Sequence, residues 1–280
     1  MGDSRVVLSS AAAIDRLVPE GTSLLAVGGM HMHNNPMELI RELVRQGRGA
    51  RRLLTSPSGS IGADLLIGAG LVREVATSYI GLEHLGLAPC YRRAAESGAV
   101  RVLELCEAAI VHGLYAGAGG LPFVALPPGL ELSDVSTANP EHFRTLTDPF
   151  TGERVLAAAS LRPDVALIHA HAADERGNAI FSRAHFTDRL MAMASRTVIV
   201  QVERLAAPSE VALHPAESVL PGFLVDAVVV APGGCRPTAS HGEYGYDEPA
   251  LRQYLKLART EEGFAEYLRL NEMAPVEARA

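Results

Sequence analysis

Short apolar runs alternate along this chain with stretches whose apolar positions recur at helical spacing, the pattern of a parallel sheet covered by helices. Seven runs are predicted as strands: Ser23–Val27, Leu53–Thr55, Val75–Ile80, Val100–Leu105, Val165–Ala170, Thr197–Val202 and Val225–Val230. Eight segments are predicted as helices: Ala11–Leu17, Pro36–Gln46, Ala63–Ala69, Pro89–Ser97, Ala108–Ala116, Phe181–Ala194, Pro249–Leu257 and Thr260–Leu268. The expected fold is therefore α/β, an open and mostly parallel sheet between helices. The segment 125–159 breaks the pattern. Its Pro127-Pro128, Asn139-Pro140 and Asp148-Pro149-Phe150-Thr151-Gly152 favour turns, so it is expected as a surface excursion.

One boundary between the two periodicities is unusually informative. Leu24 to Val27 runs into Gly28-Gly29, then Met30-His31-Met32-His33-Asn34-Asn35, then Pro36 and the apolar positions Met37, Leu39, Ile40, Leu43 and Val44. This predicts strand, loop and helix, with Asn35 as the N-cap, Pro36 at the first helical position and Gly47 as the stop. The loop falls at the carboxyl end of a strand, where open α/β sheets bind ligands. Two glycines there let backbone N–H groups approach an anionic or carbonyl oxygen; the plainer reading is a tight turn.

Composition narrows the class. Net charge is −7, and no basic patch interleaved with aromatics is present, which argues against a nucleic-acid partner. No apolar run approaches the roughly 20 residues of a membrane helix, and the polar Met1–Arg5 does not open a signal peptide. Cys90, Cys106 and Cys235 are an odd, widely spaced set, as expected of a reduced cytoplasm.

Candidate chemistry is sparse. Glu104 and Glu107 bracket the end of the fourth predicted strand. Glu107, at a strand's carboxyl end and partly desolvated, has the placement of a general base, although a glutamate in a helix's first turn is also favoured by the dipole alone. His31/His33 and His169/His171 form two H-x-H pairs, but no Cys/Asp cluster at ligand spacing accompanies them, so no metal site is expected. Gly117–Phe123 lacks the Lys-Ser/Thr of a phosphate loop, and no Gly-x-Ser-x-Gly elbow occurs. Ser56, Ser58 and Ser60 are candidate ligand donors. Cys106 has no basic neighbour and reads as a buried, inert thiol.

Several segments in order resemble the α-type subunit of family-I coenzyme A transferases, nearest the glutaconate branch, from about Val7 to Leu268. They are Gly28-Gly29 with Pro36 after it, Asp64–Val72, Gly120-Leu121-Pro122-Phe123, Asp148-Pro149-Phe150, Asp164–Ala170, Pro221–Val229 and Tyr244–Pro249. The resemblance implies one α-type domain over 1–280 and a β-type partner chain. It implies an acyl-CoA substrate, with coenzyme A as part of it and no tightly bound cofactor. Gly28 and Gly29 would contribute to an oxyanion hole, with Met30, His31, Asn34, Ser58, Gly119 and Gly120 binding substrate; the covalent glutamate would lie on the partner. Glu107 stands where many transferase α chains carry Gln. It resembles instead the α-type chains of steroid ring-cleaving acyl-CoA hydrolases, which implies a catalytic base. The leading reading is CoA transfer. The alternatives are ring-cleaving hydrolysis and, remotely, a non-catalytic small-molecule sensor on the same kind of sheet.

Overall fold

The computed structural model describes residues 6–181 and 185–273. Its main sheet is built on eight parallel strands: β1 (Val7–Leu8), β2 (Leu24–Val27), β3 (Ala50–Thr55), β4 (Val72–Thr77), β5 (Arg101–Glu104), β6 (Val165–Ala173), β7 (Thr197–Leu205) and β8 (Ala227–Val230). They lie in the order β1-β8-β7-β6-β2-β3-β4-β5. The principal helices are α1 (Ser10–Leu17), α2 (Met37–Gln46), α3 (Ile61–Gly68), α4 (Pro89–Ser97), α5 (Glu107–Ala118), α6 (Asp188–Ala194), α7 (Glu248–Leu257) and α8 (Glu261–Leu270). No helix among the described residues is long and apolar enough to cross a membrane.

Alternation along the strands sorts the core into two layers. Leu25 and Val27, with Leu53, Val75 and Leu167, face α1 to α4, α7 and α8. Ala26, with Leu54, Ala76, Leu103 and Ile168, faces α5, α6 and the excursion. Tyr254 of α7 is fully buried, and its hydroxyl donates to the carboxyl of Asp64 on α3. The other Asp64 oxygen accepts from the Tyr91 N–H, 2.6 Å away in the first turn of α4. One buried carboxyl thus ties three helices together.

The strands exceed their predicted lengths where both faces are covered. β6 and β7 run to Ala173 and Leu205, because the hairpin strand Ala179–Ile180 and the next strand Val219–Leu220 extend the sheet at that end. Val75–Ile80 is two pieces: β4 ends at Thr77, and Tyr79–Ile80 pairs instead with Ser58–Gly59. The excursion holds a three-stranded antiparallel sheet of Phe123–Ala125, Arg154–Ala159 and Phe143–Thr147, with Leu156 and Phe143 in the core. The predicted helix Phe181–Ala194 shrinks to α6; residues 182–184 of that prediction lie outside the described residues.

β2 is the pivot. Its neighbours β3 and β6 carry the chain away in opposite directions, which opens a crevice at the carboxyl ends of β2 and β6.

Candidate active site

The crevice is floored by the glycine loop. The Gly28 N–H donates to the Leu167 carbonyl at 2.8 Å, and the Gly29 N–H donates to Asp188 Oδ1 at 2.7 Å. The Ser56 hydroxyl donates to the Gly29 carbonyl. Absent side chains make this possible: a Cβ on Gly28 would lie 2.2 Å from Asp188 Oδ1, and one on Gly29 would lie 2.6 Å from the Asn34 carbonyl. Both N–H groups read from sequence as oxyanion donors are therefore engaged inside the fold.

Beyond the glycines the chain makes a tight reversal. Met30 and His33 exchange two 3.0 Å backbone bonds, and the His31 N–H reaches the Ser58 carbonyl at 2.9 Å. His31 (φ 50°) and Asn34 (φ 54°) are left-handed, a strained choice for residues with side chains. Asn35 is not the N-cap. Its amide donates to the His31 and His33 carbonyls at 2.9 and 3.1 Å, bonds that satisfy the reversal, while Pro36 takes the cap position and α2 begins at Met37.

A second segment clasps the loop from above. The Asn34 N–H donates to the Ala239 carbonyl, the Ala239 N–H to the Met32 carbonyl, and the His241 N–H to Asn34 Oδ1, at 2.7, 2.8 and 2.9 Å. This segment rests on buried polar groups at the ends of β6 and β7. Gln201 Nε2 donates to His169 Nδ1 at 3.1 Å, and His169 Nε2 lies 3.0 Å from Ser240 Oγ. Glu203 accepts from the Tyr244 hydroxyl and the Gly233 N–H, both at 2.6 Å. Burial, aided by His171, pushes the His169 pKa down to about 3, and burial pushes the Cys235 thiol up. His169, Glu203 and Cys235 are close enough to share a cation. Their chemistry is a poor fit, since Nδ1 of the neutral imidazole and both Glu203 oxygens already accept hydrogen bonds and the thiol stays protonated.

The rim carries groups that sequence reasoning missed. Glu83, itself left-handed at φ 50°, places Oε1 3.4 Å from His31 Nδ1, and the Tyr79 ring lies 6.3 Å from that imidazole. Burial lowers the His33 pKa, with Glu83 opposing. A cavity of about 630 Å³ opens beside the clasp, lined by His171, Ile180, Phe181, His214 and His241. The glycines flanking Leu82-Glu83-His84-Leu85 were the available signal for a turn there; Asp188 and His241 come from distant sequence and carried none.

Gly28, Gly29, Met30, His31, Asn34 and Ser58 thus converge on one loop. Three other candidates do not join them. Glu107 opens α5 after β5, three strands from β2, about 14 Å at ordinary strand spacing. It is exposed in this chain, not desolvated. Gly119 and Gly120 close the far end of the twelve-residue α5, roughly 18 Å from Glu107 along the helix axis. Glu104 is exposed on the edge strand, its carbonyl held by Asn139. Cys106 is half-buried at the N-cap of α5, not buried as expected.

Residues 7–231 match the model of the coenzyme A transferase family. The chain belongs to that family. It is 33% identical to the first of the two chains of the 3-oxoadipate CoA-transferase of Pseudomonas knackmussii, over 94% of this chain and 92% of that one. It is 31% identical to the cholesterol ring-cleaving hydrolase IpdA subunit of Rhodococcus jostii, over 87% and 84%. A 34% identical, uncharacterised protein of Archaeoglobus fulgidus is longer; the chain spans 58% of it. Among solved structures, glutaconate coenzyme A-transferase from Acidaminococcus fermentans superposes with a TM-score of 0.86 at 29% identity, covering 94% of this chain and 87% of that one. The decarboxylase AibA/AibB gives 0.81 at 34% identity, covering 94% and 97%. Transferase, hydrolase and decarboxylase all lie at similar identity, so membership of the coenzyme A transferase family leaves the reaction open.

Proposed function

We propose that this chain is the α-type half of a two-chain enzyme that moves coenzyme A between carboxylic acids. The observation that carries the reading is the match, over nearly the full length of both, to the corresponding chain of a 3-oxoadipate CoA-transferase. The glycine loop presents its reversal at the carboxyl ends of β2 and β6, and the partner's glutamate supplies the nucleophile. That carboxylate attacks the thioester carbonyl and expels the CoA thiolate, which returns to the glutamyl carbonyl as the first acid leaves. The covalent enzyme–CoA thioester predicts ping-pong kinetics. The test is purification of this chain with its native partner and an assay of CoA exchange between carboxylic acids. Exchange with a CoA adduct on a partner glutamate supports the reading; absence of exchange between any pair rejects it.

Hydrolysis of a cyclic β-keto acyl-CoA is the second reading. It is supported by the carboxylate at Glu107, together with the likeness to a ring-cleaving hydrolase subunit. In that case Glu107 takes a proton from water as the water oxygen attacks the carbonyl.

A further inference from the structure

Asp188 is completely buried, and its carboxyl lies directly beneath the double glycine. Oδ1 accepts the Gly29 N–H at 2.7 Å. Oδ2 has no hydrogen-bond partner. On the other side of the same residue, the Ser56 hydroxyl holds the Gly29 carbonyl. Gly29 is therefore gripped at both of its polar atoms, with φ at +79°. The left-handed His31 and the Ser58 contact follow directly from where Gly29 leaves the chain.

We infer that Asp188 is a positioning residue for the acyl-CoA chemistry, which holds the Gly29 peptide and through it sets the Met30–Asn34 reversal. The inference rests on the acyl-CoA reading for its kinetic consequences, though not for the clamp itself. A carboxyl is an odd choice for this task. An ionised group would leave a bare charge on Oδ2, because a single backbone donor does not compensate a buried carboxylate. The neutral acid needs no such compensation, and its Oδ1 still accepts from Gly29. Burial accordingly pushes the Asp188 pKa up to about 8, against the opposing pull of the Gly29 N–H. The Cys235 thiol, on the turn after β8, is the titratable group that senses the Asp188 charge; the His185 carbonyl accepts the Asp188 N–H on its own element. Above about pH 8 the acid ionises and the loop loses its fixed seat.

The experiment compares wild type, Asp188→Ala and Asp188→Asn in the complex with the native partner. Two quantities are read: hydrogen-exchange protection of the 24–35 segment from pH 6 to 9.5, and kcat and KM on the donor–acceptor pair that wild type turns over. Asp188→Ala is expected to lose tenfold or more in protection and about 10- to 100-fold in kcat, with KM within threefold, as for a misplaced loop. Asp188→Asn keeps the Oδ1 acceptor and restores both. The wild type alone shows a fall in protection and kcat above about pH 8; the amide, which does not ionise in this range, shows none. Unchanged protection and kcat in Asp188→Ala overturns the inference, as does an alkaline fall shared equally by wild type and Asp188→Asn. If Asp188→Ala does not fold, the comparison of pH profiles decides alone. A wild-type complex inert toward every acyl-CoA rejects the proposed function, and the exchange data still decide the clamp.

Discussion

Gln201 fixes the tautomer of His169. Its amide nitrogen is a donor, so the His169 Nδ1 3.1 Å away is an acceptor and the proton sits on Nε2, toward Ser240. The Gln201 oxygen meanwhile accepts the Glu38 N–H at 3.0 Å at the start of α2. One side chain therefore couples the helix after the glycine loop to the segment that clasps the loop.

This arrangement sets an acid limit on stability. The His169 pKa falls to about 3 and that of His142 to about 4, both chiefly through burial. The unfolded chain takes up these protons below about pH 6.5, whereas the folded chain does not until much lower. Stability is therefore lost as pH falls from about 6.5 toward 4. The difference is on the order of 2 kcal/mol per group at pH 5. Urea unfolding at pH 7 and pH 5 checks this: His169→Gln is expected to lose less between the two than wild type does. Asp188 slopes the other way, its folded form holding a proton the unfolded chain releases, so stability falls as pH rises from about 4 to 8 and Asp188→Asn flattens that part of the curve.

Gly28 tolerates no side chain. A methyl group there meets Asp188 Oδ1 at 2.2 Å and Ile168 Cγ2 at 3.0 Å. Gly28→Ala is expected to cost about 1–3 kcal/mol by overpacking and to lower turnover as the loop shifts. Gly120 also has positive φ, but nothing lies within 4 Å of its Cβ position. Gly120→Ala is expected to cost only the roughly 1–2 kcal/mol of a left-handed residue. Thermal unfolding of both variants, with activity of the complex, separates the two sites.

Glu107→Gln divides the two reactions. If the enzyme transfers CoA through a partner glutamate, the variant keeps most of its exchange activity. If Glu107 activates water, hydrolysis falls by about 10²–10⁴-fold while the complex stays assembled. Size-exclusion chromatography and a CoA-release assay read both outcomes.

The thiols should titrate unequally. Burial, with Asp64 adding to it, pushes Cys90 up to about 12, and Cys235 is buried as well. Cys106 is half-buried at a helix start. A thiol-reactive chromophore is expected to label Cys106 first in native protein and all three cysteines after unfolding.

Tyr254→Phe removes the hydroxyl that donates to Asp64 and leaves that buried carboxyl oxygen with only the Cys90 N–H at 3.3 Å. The expected cost is about 1–3 kcal/mol in urea unfolding, with no change in the pH dependence assigned to Asp188.

The strand–glycine–helix boundary at Leu24–Gln46 was legible because each of its signals is local. A β-branched apolar run, two glycines, a proline and helical spacing each constrain backbone angles within a few residues. The two-layer core was legible for the same reason, since alternation along each strand sorts Leu25 from Ala26 whatever lies beyond. Asn35 misled because its side chain has two competing uses, a cap or a brace for the reversal, and only the closeness of the His31 and His33 carbonyls selects the second.

The sequence by itself determined the α/β class, the position of the glycine loop at a strand's carboxyl end and the family resemblance carried by ordered motifs. Only the tertiary structure decided which side chains meet there. Asp188 lies 159 residues from Gly29, and His241 lies 207 from Asn34; no periodicity reports such pairs, because they depend on strand order and on helices crossing back over the sheet. The same physics removed Gly119 and Gly120 from the loop: a helix rises about 1.5 Å per residue, and twelve residues carry the chain to the opposite end of the sheet.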